Sequence, residues 1–125
     1  MTREHSMLDR PMVYVAAYYT ANPTHGMREA IDAWEMLLGL GYTPLVPHVS
    51  FFLDVVYPYP PAFWYAYDLA LMSRCDAIYV CGDPLTAQSN GVALEVAEAE
   101  RQGMSILRSP SDAALFVRKW MDEVV

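Results

Sequence analysis

One glutamate, one aspartate and one tyrosine offer most of the chemistry this sequence could perform. The segment Ser89-Asn90-Gly91-Val92-Ala93-Leu94-Glu95 reads as the passage from a strand into a helix. The free N–H groups of a first helical turn can face a ligand there. Gly91 permits close backbone approach. Glu95 lies about one turn into the helix, where the helix dipole favours an ionised carboxylate. A fixed, ionised carboxylate can attack an anomeric carbon. The blander reading is an ordinary surface glutamate. It is not a capping-box partner, because the residue three positions before it is Val92.

Asp68 is the second acid. Trp64, Asp68, Leu71 and Cys75 recur at i, i+4, i+7 and i+11, which places them on one helical face. A carboxylate on an apolar face must find partners or change its pKa. The competing reading turns Asp68 to water. Tyr14 falls inside an apolar strand, where core packing is the ordinary role, and a buried phenol still needs a hydrogen-bond partner. Tyr18 and His48 sit on the loops after the first and second strands and are candidate binding residues, although a lone histidine in such a place is more often structural. Asp76 starts a strand and reads as a cap or turn residue.

Other chemistries lack their signatures. There is no G-x-G-x-x-G after the first strand, no P-loop pattern and no G-x-S-x-G elbow. His5, His25, His48, Cys75 and Cys81 lack metal-ligand spacing, so neither a metal nor a cofactor is expected.

These residues need elements to position them. Apolar runs at 12–17, 43–46, 76–81 and 104–107 read as buried strands. Helical spacing covers 25–39, 62–74, 91–102 and 110 to about 123. In the first helix Met27, Ala30, Ile31, Trp34, Leu37 and Leu38 form the apolar stripe, with Gly39 and Gly41 as stops. Ser109-Pro110 has the form of an N-cap followed by an N1 proline. Residues 48–61, with Pro58, Pro60 and Pro61, read as a long loop that could hide a fifth strand. The alternation predicts one α/β domain over 1–125, with 1–10 a loose tail. Its expected form is flavodoxin-like: a parallel sheet in the order 2-1-3-4, with helices on both faces. In such a sheet ligands bind beyond the carboxyl ends of the strands, which singles out 18–24, 47–61 and 82–90.

Composition narrows the partners. With 8 basic and 15 acidic residues the net charge is −7, a poor match for nucleic acid or an anionic membrane. The apolar stretch 51–72 carries Asp54, Asp68 and three prolines, so it is not a membrane span. Residues 1–11 are polar and predict no secretory leader. Cys75 and Cys81, at the two ends of a strand, would lie about 20 Å apart. That is too far for a disulfide, and free thiols suit the cytoplasm. The aromatic density of 51–67 suggests a stacking wall, a lid or an interface between subunits of a homo-oligomer.

Taken in order, Val13-Tyr14-Val15-Ala16, Tyr67-Asp68-Leu69, 75–80, 89–95 and Arg101-Gln102-Gly103 resemble the nucleoside 2-deoxyribosyltransferase superfamily, which includes deoxyribonucleoside 5′-monophosphate N-glycosidases. The resemblance spans about 12–107. It implies that Glu95 is the nucleophile, that Tyr14 bonds near it, and that Asp68 contacts the sugar or assists proton transfer. It also implies that Ser89, Asn90 and Gly91 bind the polar end of a nucleoside or nucleotide. Ser89 matches the serine of the monophosphate hydrolases, where transferases carry Asp. The loop 17–20 lacks the Gly and Arg of those hydrolases, and the chain is shorter than typical transferases. The expected function is cleavage or transfer at an N-glycosidic bond through a glycosyl-glutamate. The alternative is a non-catalytic nucleotide- or nucleoside-binding module of the same fold.

Overall fold

The computed structural model describes residues 6–17, 23–82 and 90–124. Four short strands are built from the apolar runs: β1 (Met12–Ala16), β2 (Thr43–Leu45), β3 (Ala77–Val80) and β4 (Ser105–Leu107). All pairings are parallel and the order is β2-β1-β3-β4, as expected. Pro44, which has no N–H to donate, is tolerated because β2 is an edge strand.

Helices α1 (Pro23–Leu40) and α5 (Pro110–Val124) cover one face of the sheet. Helices α3 (Pro61–Met72) and α4 (Asn90–Gln102) cover the other. The period of two along β1 divides its side chains accordingly. Val13 and Val15 point to the first layer, Tyr14 and Ala16 to the second. This is the flavodoxin-like arrangement.

Helix ends follow local chemistry. Gly41 and Gly103 adopt left-handed backbone just past α1 and α4. In each case the glycine N–H and the following N–H return to the last-turn carbonyls: Gly41 to Leu38 and Tyr42 to Leu37, Gly103 to Glu100 and Met104 to Ala99. Gly39, expected to stop α1, lies inside it. Ser109 caps α5 by accepting from the Asp112 N–H at 3.1 Å, while Asp112 accepts from the Arg108 N–H at 3.0 Å.

Three expectations differ. Residues 47–61 are not a plain loop and hold no strand. A 3-10 turn (Pro47–Val49) leads into α2 (Ser50–Val56), which ends just before Pro58. Aromatic and β-branched residues there mask the helix, and nothing in α2 is buried to mark a face. The buried face of α1 is also rotated from the expected stripe. Ala30, Ala33 and Leu37 pack inward, while Ile31 and Trp34 are exposed. The inner face of α1 carries two alanines, with Met36 and Leu40 packed beside them. Finally, residues 6–10 do not hang loose: Thr43 Oγ1 donates to the Met7 carbonyl at 3.0 Å, and Arg10 Nη1 to that of Tyr42 at 3.4 Å.

Candidate functional site

The centre of the site is a buried phenol. Tyr14 is fully buried in β1, between β2 and β3. The chain runs from β1 to β2 on one side of it and later to β3 on the other, so β1 and β3 flank the switch point of the sheet. Tyr14 points at the layer formed by α3 and α4. Its hydroxyl donates to Glu95 Oε2 at 2.5 Å across 81 residues of sequence. Val92, Glu95, Val96 and Ala99 make the inner face of α4 at i, i+3, i+4 and i+7, which is why Glu95 turns inward. Glu98 turns away and pairs with Arg101 at 2.5 Å. Glu100 is exposed.

Asp68 joins from α3. It is half-buried, and its Oδ1 is buried with no hydrogen-bond partner among the described residues. The inner face of α3 is the expected one: Trp64, Asp68 and Leu71 are half-buried and Cys75 is buried beyond the helix end, while Phe63, Tyr65 and Tyr67 point out. Asp68 therefore does not face bulk water.

Electrostatics couple the three groups. Glu95 is raised to about 7: burial lifts it most, the Tyr14 hydrogen bond opposes the rise, and the charge of Asp68 adds to it. Burial lifts Asp68 to about 6. Burial and the Glu95 charge push the Tyr14 phenol far above its ordinary range, with Asp68 adding to the rise, so Tyr14 stays a hydrogen-bond donor. The expected helix-stabilised, fully ionised glutamate is corrected here. Glu95 is the sixth residue of α4, beyond the first turn where the dipole acts, and desolvation prevails. Cys75, in the same layer, is raised to about 11 by burial and stays a neutral thiol.

The remaining candidates divide. Gly91 is in the first turn of α4 with ordinary helical backbone, so the left-handed freedom of glycine is not used there. Asn90 begins α4. Tyr18 and Ser89 lie outside the described residues. His48 is buried in the 3-10 turn after β2, which packs against β1. Among the described residues no three His, Cys, Asp or Glu side chains gather as a metal site.

Two supporting acids had no motif. Asp54 accepts from Trp64 Nε1 at 2.6 Å and from the Tyr59 N–H at 3.0 Å, fixing the inner-face tryptophan one turn before Asp68. Asp54 and Trp64 lie on different helices with Pro58, Pro60 and Pro61 between them, so no single period links the two. Asp76 Oδ2 accepts from the Met12 N–H at 2.8 Å, and the Asp76 N–H donates to the Met12 carbonyl at 2.8 Å, which sets the register of β1 and β3 below Tyr14.

Residues 11–109 match the family model of DUF7768, a domain of unknown function, and the chain belongs to that family. No curated protein matches significantly. Among solved structures the chain is similar to a 2-deoxyribosyltransferase from Leishmania mexicana, with a TM-score of 0.58 and 19% identity over 78% of this chain. The chain spans 63% of that protein's length. At this identity the likeness is one of fold.

Proposed function

We propose that this protein cleaves or transfers the N-glycosidic bond of a nucleoside or nucleotide, with Glu95 as nucleophile. The observation that carries the reading is the short Tyr14–Glu95 hydrogen bond beside a buried Asp68 oxygen that lacks a partner. Tyr14 holds Oε2, which leaves Oε1 to attack C1′. The C1′–N bond breaks, its electron pair leaves with the base, and the base takes a proton from solvent. Water then hydrolyses the glycosyl ester, or a second base captures the sugar. Two displacements at one carbon retain configuration. Asp68, lifted by burial to about 6, binds a sugar hydroxyl or shuttles a proton. Asn90 and Gly91 at the start of α4, with Ser89 preceding them in the sequence, are assigned to the polar end of the ligand, and Tyr18 and His48 are further binding candidates. No cofactor enters this chemistry. The likeness to a 2-deoxyribosyltransferase fold supports the substrate class. Free, buried Cys75 and Cys81 suit work in the cytoplasm. No helix among the described residues is long and apolar enough to cross a membrane.

The test is release of free base from a panel of nucleosides and monophosphates, read by chromatography. The rate should climb as pH rises through about 7, where Glu95 ionises. Glu95→Gln should abolish release, and Tyr14→Phe should slow it by about 10²-fold. Saturable nucleoside binding without release would instead assign a binding module.

A further inference from the structure

Glu95, Tyr14 and Asp68 account for the sugar end of the proposed reaction, and the base needs a surface of its own. A heterocycle gains most from an aromatic face. Helix α3 delivers the chain to the amino end of β3, where Asp76 bonds to Met12. Its opposite end, which carries Trp64 in the first turn, therefore points toward the carboxyl ends of the strands. That is the side on which such a sheet holds its ligands. Trp64 shares a helical face with Asp68, one turn nearer the mouth, and is half-buried.

The indole is restrained twice over. Its Nε1 donates to Asp54 Oδ1 at 2.6 Å, and the same oxygen accepts the Tyr59 N–H at 3.0 Å. Tyr59, Phe63 and Tyr67 form a column, with 21° and 19° between neighbouring rings. All three meet the indole nearly at right angles, at 81°, 84° and 81°. The bond and the column together set the plane of the ring. No ring among the described residues stacks face to face on it. Nor does α2, which supplies Asp54, bring any buried side chain against it. A tryptophan serving only to join the two helices would be expected to gain such packing.

We propose that Trp64 is the surface on which the base of the substrate stacks, and that Asp54 is a positioning residue that holds the indole in place through its N–H. The inference rests on the nucleoside reading of the site. It assigns the aromatic segment a part in that site, with Trp64 turned inward and Tyr59, Phe63 and Tyr67 bracing it from outside.

The chain has three tryptophans, so an isotope-labelled sample gives three indole N–H signals by NMR. The signal of Trp64 is the one lost in Trp64→Phe. In a Glu95→Gln background, which prevents turnover, each of the four common deoxynucleosides is titrated in. At least one should bind and move the Trp64 signal. Trp64→Leu should weaken that binding by about 10–100-fold. Asp54→Ala should shift the Trp64 signal before any ligand is added and weaken binding several-fold. Where base is released, the same change should raise KM and leave kcat nearly unchanged, because stacking is shared by ground and transition states. Asp54→Asn keeps an acceptor oxygen and should restore both readings. A role confined to joining helices would lower the melting temperature of Asp54→Ala without moving KM or Kd, and that result overturns the positioning role.

Nucleoside binding that leaves the Trp64 signal in place overturns the stacking role. If base is released all the same, the glycosidic reading survives that loss. Conversely, a nucleoside that binds and moves Trp64 while no base is released supports the stacking surface and defeats the glycosidic reading. If none of the four binds or is cleaved, both fall. Should Asp54→Ala not fold, a Trp64 signal insensitive to saturating nucleoside is the overturning result.

Discussion

At the scale of residues, the proposed site is a contest between desolvation and hydrogen bonding at Glu95. The buried carboxyl is raised from 4.5 to about 7, and that rise is also a statement about stability. Below about 4.5 Glu95 is protonated in both folded and unfolded chains. Between about 4.5 and 7 the folded chain holds the proton more tightly, so stability from this group falls as pH rises. Above 7 the fold carries a buried anion at a cost of about 3 kcal/mol relative to acid conditions. Gln at this position keeps an oxygen for Tyr14 and carries no charge. Glu95→Gln should therefore unfold at a higher temperature than the natural protein at pH 8, with the advantage gone at pH 4; calorimetry at the two pH values measures it. Residue type and spacing raised Glu95, Asp68 and Tyr14 beside blander readings, and the resemblance of the surrounding motifs to a known superfamily singled them out. Their ionisation was not legible there: it depends on how deeply α4 buries Glu95 and on the Asp68 charge brought in by α3.

At the scale of elements, the strands were readable because a buried parallel strand is an uninterrupted apolar run. The helix caps were readable for the same kind of local reason. Ser109 accepts the Asp112 N–H, so Ser109→Ala should cost about 1 kcal/mol, seen as a lower urea midpoint with an unchanged slope. α2 was not readable. Its residues favour strands by type, and the helix has no buried side to impose a period of 3.6. The rotation of α1 was missed because Ala33 counts for little on a hydrophobicity scale, yet it packs inward beside the expected Ala30 and Leu37.

At the scale of the whole molecule, alternation led to a parallel sheet with helices on both faces, and the flavodoxin-like form expected for it supplied the order. The order sets β1 and β3 around the switch point, and so the general location of the site followed. What the chain presents outward did not follow, since exposure is a property of the finished surface. A net charge of −7 makes copies of the chain repel at long range, and salt screens that repulsion. Raising sodium chloride from low to physiological strength should therefore not weaken any self-association through the exposed apolar side chains of α2 and α3, measured by sedimentation equilibrium.

The double duty of Tyr14 has a lasting consequence. Its ring fills the middle of the second layer and its hydroxyl reaches the glutamate. Emptying that volume to alanine would cost about 3–5 kcal/mol. A descendant without the proposed reaction would therefore be held to an aromatic ring here for architectural reasons alone. Glu95 has no such anchor, because the fold is burdened by its charge. When kindred chains are sorted into working and silent ones, the acid is the informative position and the tyrosine is a poor witness.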